Sequence, residues 1–196
     1  SWLLSHLIYR FKVTNKQVIP SEGAVILTCN HVSFIDAVLL MAASPRPIYY
    51  IMDHRIFKIP VLGWIFKLAK AIPIAAQKED PVAYEKAFQQ AAQVLRNGDV
   101  LAIFPEGAIT RNGELGEFKA GLLKILQSAH ADGLSVPVIP MGLKNLWGSY
   151  FSRVDGAAMS KPFRRGLWSR VGLNIGEPNP GEQVTMDGLK QQVQAR

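Results

Sequence analysis

The stretch Cys29-Asn30-His31-Val32-Ser33-Phe34-Ile35-Asp36 contains the residues that best indicate a fold and a function. An apolar run over 24–28 precedes it and predicts a buried strand, and the apolar run over 37–43 that follows it predicts a helix. His31 and Asp36 therefore stand where a strand gives way to a helix, which is where ligands bind in open α/β sheets. This pair is the first candidate for a functional site.

The spacing of His31 and Asp36 restricts how they can meet. On one uniform helix their side chains would point about 140° apart. They can meet only if the turn from strand to helix lies between them, and Ser33 as the helix N-cap would provide that turn. Asp36 could then hold one imidazole nitrogen and leave the other to accept a proton from a hydroxyl. A simpler interpretation stays open, because Ser33-x-x-Asp36 is also a capping-box pattern.

A second motif, Phe104-Pro105-Glu106-Gly107, follows an apolar run that predicts another buried strand. Glu106 would stand at the carboxyl end of that strand, on the same edge of the sheet as His31. Two cations that could meet an anionic group follow it in the chain, Arg111 and Lys119. Taken alone, the motif also fits an ordinary turn that ends a strand with a solvated glutamate.

The order of predicted elements gives the fold class. Strands alternate with helices, which predicts a single layered α/β domain over residues 1–196, with a largely parallel central sheet flanked by helices. A chain of 196 residues is long enough for one domain with a sizeable core. The predicted strands are 24–29, 48–52, 71–75, 100–104, 136–143 and 171–175. The predicted helices are 33–43, 80–97, 119–131 and a terminal helix capped by Thr185.

Composition narrows the classes of partner. The net charge of +7 favours anionic partners such as phospholipid head groups, nucleic acid or phosphate-rich cofactors. Nucleic acid is disfavoured, because Arg164-Arg165 is the only tight basic pair and no nucleic-acid motif appears. The single cysteine, Cys29, excludes an intrachain disulfide and argues against a cysteine-cluster metal site. A thiol enzyme built on Cys29 and His31 is also disfavoured, since their Cα atoms on one strand would stand roughly 7 Å apart.

Two segments suggest contact with a membrane. Residues 1–15 are expected to form an amphipathic N-terminal helix with basic flanks, which would lie at a membrane interface or dock on the domain. The window 56–76 is strongly apolar, but its lysines argue against a membrane-spanning helix. A helix there would be buried in the core or in contact with lipid. Because the chain opens on Ser1-Trp2 without a methionine, we expect that it was excised from a longer polypeptide.

Taken together, the motifs resemble a known family. Asn30-His31-x-Ser33-x-x-Asp36 followed by Phe104-Pro105-Glu106-Gly107 resembles the glycerolipid acyltransferases of the 1-acylglycerol-3-phosphate acyltransferase type. The segment 58–74 looks like the second block of that family, and Val136-Pro137-Val138-Ile139-Pro140 looks like its fourth. Four blocks in the same order cover most of the chain.

The resemblance implies a glycerol-3-phosphate acyltransferase-like fold and a mechanism. His31 would be the general base that deprotonates the acceptor hydroxyl, and Asp36 would orient and stabilise its imidazole. The hydroxyl would attack the thioester of acyl-CoA or an acyl carrier protein, which acts as co-substrate. No acyl-enzyme, bound cofactor or metal is expected.

The resemblance also implies a binding site for a lysophospholipid. Glu106, with Gly107 and the neighbouring backbone, would bind the glycerol-phosphate end of the acceptor, and Pro140 would shape the acyl pocket. The expected substrate-binding residues are Asn30, Ser33, Phe104, Pro105, Glu106, Gly107, Arg111, Lys119 and Pro140.

The chain departs from the family pattern in two places. Ala76 and Ile109 stand where the family usually has arginines that hold the acceptor phosphate. Two alternatives are open: Arg111, Lys78 or Lys119 replaces them, or the acceptor is a diester such as lysophosphatidylethanolamine, which carries less phosphate charge. The sequence looks nearer to the branch fused to a membrane transporter. We therefore expect a location on the cytoplasmic face of the inner membrane, peripheral or tethered through an absent N-terminal membrane region.

An interpretation from another class also remains. The chain could be a non-catalytic lipid-binding or regulatory module of a larger membrane protein. The missing arginines favour this alternative slightly. The intact His31 and Asp36 oppose it, because a protein that only binds lipid does not need a base.

Overall fold

A computed structural model describes residues 9–58, 70–154, 156 and 169–196. The strands are β1 Arg10–Thr14, β2 Val25–Cys29, β3 Ile48–Asp53, β4 Ala71–Ile74, β5 Val100–Ile103, β6 Val138–Lys144 and β7 Arg170–Ile175. The α-helices are α1 Asp36–Ala43, α2 Pro81–Arg96, α3 Gly121–Ala131 and α4 Met186–Ala195. Short 3-10 helices span Lys16–Val18, His54–Lys58 and Gly181–Gln183.

The seven described strands form one sheet in the order β1-β7-β6-β2-β5-β3-β4. Every neighbouring pair is parallel except β6 and β7, which are antiparallel. The predicted α/β class with a largely parallel sheet is therefore confirmed. The antiparallel step means that β7 and β1 run opposite to the other five strands.

The sheet separates two apolar clusters. Side chains of β2 alternate between them: Val25, Leu27 and Cys29 belong to the cluster that contains α1, and Ile26 belongs to the cluster that contains α2 and α3. All five residues of β2 are buried, which explains why the strand is a continuous apolar run. Helices on both faces are what keep the central strands away from water.

Capping residues in the sequence determine where α2 and α4 begin and where α2 ends. The Asp80 side chain accepts a hydrogen bond from the backbone N–H of Ala83 and Pro81 follows it, which starts α2 as predicted. Gly98 follows the end of α2 with a φ of +74°, a conformation that glycine adopts without strain. The Thr185 hydroxyl accepts from the Gly188 N–H and caps α4, as predicted.

The N-terminal prediction was wrong where it can be compared. Arg10–Thr14 is strand β1, paired in parallel with β7, and not the end of a helix. Exposed Arg10 and Lys12 alternate with buried Phe11, which is the period of a strand with one covered face. The rest of the predicted amphipathic segment, residues 1–8, lies outside the described residues.

The predicted apolar helix over 56–76 lies largely outside the described residues. Its two ends are described: His54–Lys58 is a 3-10 helix and Ala71–Ile74 is β4, the last strand at its edge of the sheet. Within the parts of the chain that the structure covers, no helix combines the length and the apolar character needed to cross a bilayer.

Strand register brings the two sequence motifs together. β2 lies between β5 and β6, and Thr28 of β2 is level with Ile103 of β5. Because the two strands are parallel, the residues that follow them, from Asn30 and from Phe104, emerge side by side at the carboxyl edge of the sheet.

Candidate active site

His31 and Asp36 form the centre of the candidate site. Nδ1 of His31 lies 2.8 Å from Oδ2 of Asp36, across the turn that joins β2 to α1. Asp36 is fully buried, whereas the His31 side chain is 22% exposed. The carboxylate therefore sits behind the imidazole and the imidazole faces solvent, the arrangement that a carboxylate-oriented base requires.

The turn has a different construction from the predicted one. The helix begins at Asp36 with Ile35 as its N-cap, and no side chain in the described part of the chain caps it. The expectation that Ser33 is the N-cap was wrong: its hydroxyl accepts from the Ile35 N–H at 3.3 Å, before the helix starts. Oδ2 of Asp36 instead accepts from the backbone N–H groups of Val32 and Ser33, at 2.8 and 3.0 Å. Asp36 thus holds the turn and the imidazole with one oxygen.

Burial controls the ionisation of Asp36. Desolvation raises the pKa of the Asp36 carboxyl, and the hydrogen bond and positive charge from His31 and the backbone N–H groups of Ser33 and Val32 oppose that rise. The second oxygen, Oδ1, is buried, and among the described residues it has no hydrogen-bond partner. A carboxylate in this environment favours a donated proton from Nδ1, which fixes the tautomer and leaves Nε2 to accept a proton.

The loop after β5 encloses His31. The Phe104 ring stacks on the imidazole with ring centres 4.3 Å apart and planes 16° apart. The backbone N–H of Thr110 donates to the carbonyl of His31 at 2.9 Å. The ring and the main chain of His31 are thus both held by residues 104–110.

Glu106 lies in this loop and is 8% exposed. Its Oε1 accepts from the backbone N–H of His31 at 2.7 Å, and its Oε2 accepts from the backbone N–H of Gly116 at 2.7 Å. Burial raises the pKa of the Glu106 carboxyl, and these two hydrogen bonds oppose the rise. Both carboxylate oxygens are therefore engaged with the backbone.

Gly107 and Lys119 lie together at the surface of the site. Gly107 has a φ of +68°, and a Cβ built there would lie 2.6 Å from Nζ of Lys119. The backbone N–H of Lys119 donates to the carbonyl of Pro105 at 2.9 Å, which keeps the lysine on this loop. Within the described part of the chain, the exposed ammonium group has no carboxylate partner.

Asn30 connects β2 to β6. Its Oδ1 accepts from the Leu143 N–H at 2.7 Å, and its Nδ2 donates to the Leu143 carbonyl at 3.0 Å. The buried thiol of Cys29 donates to Oδ1 of the same amide at 3.4 Å, and burial raises its pKa well above the ordinary value. A neutral thiol that contacts Asn30 and not His31 is unsuited to nucleophilic catalysis.

Pro140 and Arg111 are the remaining predicted site residues. Pro140 is buried within β6, level with Thr28, and packs against Gly176. Arg111 is exposed on the loop after Thr110. Neither residue is brought against His31 by a described contact.

Two residues of the site escaped prediction, Thr110 and Gly116. Both contact it through backbone N–H groups, which every residue but proline carries, so residue type gave no signal for them. Over the described ranges, no group of three or more His, Cys, Asp or Glu side chains could hold a metal ion.

A comparison with protein families gives a match that covers most of the chain. Residues 10–144 match the family model described as Acyltransferase, which is more than half of the chain. The chain belongs to the acyltransferase family. The match includes the His31–Asp36 turn and the loop over 104–116.

Relatives from several organisms are named 1-acyl-sn-glycerol-3-phosphate acyltransferase. The chain is 26% identical over 168 residues to a 1-acyl-sn-glycerol-3-phosphate acyltransferase of Bacillus subtilis, covering 85% of this chain and 72% of that protein. It is 27% identical over 135 residues to the chloroplastic 1-acyl-sn-glycerol-3-phosphate acyltransferase LPAT1 of Arabidopsis thaliana, covering 68% of this chain. The chain spans only 36% of that plant relative and 52% of the one from Mycoplasma pneumoniae.

A solved structure shares the fold. The 1-acyl-sn-glycerophosphate acyltransferase PlsC from Thermotoga maritima superposes with a TM-score of 0.69 over 96% of this chain and 69% of that chain, at 20% identity. The predicted acyltransferase-like fold is therefore confirmed.

Proposed function

We propose that this chain transfers a fatty acyl group from an acyl thioester to the free hydroxyl of a lysophospholipid. The observation that carries the proposal is the 2.8 Å contact between His31 Nδ1 and buried Asp36, together with the partial exposure of the His31 side chain to solvent. Relatives named for 1-acyl-sn-glycerol-3-phosphate make lysophosphatidic acid the first acceptor to test. Lysophosphatidylethanolamine is the second.

The reaction needs a base and no protein nucleophile. Nε2 of His31 removes the proton from the acceptor hydroxyl as its oxygen attacks the thioester carbonyl. The C–O bond forms and the C–S bond breaks, and the leaving thiolate takes the proton from the imidazolium. Asp36 stabilises the imidazolium at Nδ1 throughout. The donor is acyl-CoA or an acyl carrier protein.

The charges near the site suggest how the acceptor phosphate binds. Ile109 and Ala76 stand where the family pattern has arginines, and Ile109 is buried. Glu106 has both oxygens engaged with the backbone. Lys119 supplies an exposed ammonium group beside Gly107, and Arg111 is exposed on the same loop. We assign the phosphate to Lys119, with Arg111 assisting.

The acceptor and the donor chains are lipids, so the domain works at a membrane surface. The net charge of +7 favours anionic lipid head groups. Phe34, three residues after His31 in the chain, is an exposed large apolar side chain with the Arg153 guanidinium 5.8 Å from its ring centre. This surface is suited to face lipid. A location on the cytoplasmic face of the inner membrane remains part of the proposal.

The test is acyl transfer by the purified chain in mixed micelles. Radiolabelled acyl-CoA, or acylated carrier protein, is offered with lysophosphatidic acid and, separately, with lysophosphatidylethanolamine. Transfer to lysophosphatidic acid that falls at least about 100-fold in His31→Ala supports the proposal. Preference for the diester acceptor would mean that Lys119 does not replace the missing arginines. Absence of transfer to either acceptor, with binding of lipid retained, would favour a lipid-binding module.

A further inference from the structure

The carboxylate of Glu106, which was expected to bind substrate, instead binds two backbone N–H groups of the protein. It is 8% exposed, and each of its oxygens accepts a backbone N–H at 2.7 Å, one from His31 and one from Gly116. These are short, charge-assisted hydrogen bonds, which are stronger than neutral ones. Glu106 therefore joins two loops through their main chains.

The two loops are those that make the site. The N–H of His31 is held by Glu106 and its carbonyl by the N–H of Thr110, so the main chain of the base is fixed on both sides by residues after β5. The far end of that loop is held at Gly116, where a Cβ would lie 3.1 Å from Oε2 of Glu106. Glycine at 116 leaves the room that the carboxylate occupies.

We propose that Glu106 is a positioning residue, which fixes the main chain of His31 against the loop over 104–116 and does not itself bind the acceptor. Asp36 orients the imidazole ring of His31, and Glu106 positions the His31 main chain. The inference rests on the proposed function for its kinetic test.

Only an ionised carboxylate meets this requirement in full. It offers two acceptor oxygens, whereas the amide of glutamine offers one acceptor and one NH₂ donor. In Glu106→Gln, one of the two N–H groups would face a donor, and the loop would move away from it. A misplacement of the base by roughly 1 Å is enough to cost about 100-fold in rate.

The experiment is a split of kcat from acceptor KM in Glu106→Gln. We expect kcat to fall about 10- to 100-fold with acceptor KM within about twofold of the wild type. The fall should be equal for lysophosphatidic acid and lysophosphatidylethanolamine, because the effect lies in the base. The matched control is Glu117→Gln, whose carboxylate is 89% exposed and pairs with Lys190. A raised acceptor KM with retained kcat, or a loss that depends on the head group, would overturn the inference.

A second variant and a second readout make the test independent of activity. Gly116→Ala places a Cβ against Oε2 of Glu106 and should lower kcat severalfold while both N–H donors remain. In NMR spectra, the imidazole resonances of His31, assigned by their loss in His31→Ala, should shift or broaden in Glu106→Gln and stay unchanged in Glu117→Gln. Identical His31 resonances in the wild type and Glu106→Gln would contradict the proposal, whether or not the chain turns over. A wild type without acyl transfer would instead count against the proposed function.

Discussion

Asp36 and Glu106 are two buried carboxylates that serve the same histidine from different sides. Asp36 follows β2 and reaches back to the ring nitrogen of His31, five residues away in the chain. Glu106 follows β5 and reaches the main-chain N–H of the same residue from the neighbouring strand. Burial raises the pKa of each, and hydrogen bonds to the charged form oppose the rise in both. One carboxylate therefore holds the ring of His31, and the other holds its main chain.

This comparison gives the largest effect to Asp36. In Asp36→Asn, an amide replaces the carboxylate that stabilises the imidazolium, and it can leave the ring in the wrong tautomer. We expect kcat to fall about 1,000- to 10,000-fold with little change in acceptor KM. Steady-state acyl transfer at several pH values measures it. A loss of tenfold or less would mean that Asp36 only organises the turn, as the capping-box interpretation holds.

The next largest effect is expected on the KM for the acceptor. If Glu106 only holds the histidine, binding of the phosphate depends on Lys119. In Gly107→Ala the new Cβ would lie only 2.6 Å from Nζ of Lys119, so the ammonium group must move. The acceptor KM for lysophosphatidic acid should therefore rise severalfold. The same rise is expected in Lys119→Ala.

A matched control separates this effect from backbone strain. Gly133 also has a positive φ, +76°, and no atom of the described residues lies within 4 Å of a Cβ built there. Gly133→Ala should lose about 1 kcal/mol of stability, as Gly107→Ala does, and leave KM unchanged. An equal rise of KM in both alanine variants would contradict the assignment of the phosphate to Lys119.

The smallest effect is expected on the pH dependence of the free energy of unfolding. Burial raises the folded-state pKa of Glu106 above its ordinary value of 4.5, so the folded protein binds this proton more tightly than the unfolded chain. The contribution of Glu106 to the free energy of unfolding is therefore present below pH 4.5 and is lost as the pH rises from there through the raised pKa. Urea unfolding between pH 4 and 7 should show a smaller decline in Glu106→Gln than in the wild type. A steeper decline in the variant would contradict the sign of the shift.

The sequence predicted the parts of the site that depend on side-chain chemistry at strand ends. His31 and Asp36 could be paired because a turn had to fall between them, and Glu106 could be placed beside them because parallel strands end at one edge. The exact turn was not predictable. A Ser33 cap and hydrogen bonds from the Val32 and Ser33 N–H groups to Asp36 were both compatible with the sequence, and the structure has the second. The expected acceptor role of Glu106 is untested.

Other features depend on contacts that leave no pattern in residue type. The partner of Glu106 at Gly116 is a main-chain group ten residues away, and the contact is set by the path of the loop. Strand β1 was mistaken for a helix because apolar residues over 2–13 also fit a period of 3.6. Its pairing with β7, a strand at the other end of the chain, decided the outcome.

The most direct test of the central claim is a double-mutant cycle on His31 and Asp36 in acyl transfer to lysophosphatidic acid. If the two residues act as one base, His31→Ala and Asp36→Asn each remove most of the activity, and the double variant is no slower than His31→Ala alone. Losses that multiply in the double variant, or a His31→Ala variant that keeps more kcat than Asp36→Asn, would contradict the assignment of His31 as the general base.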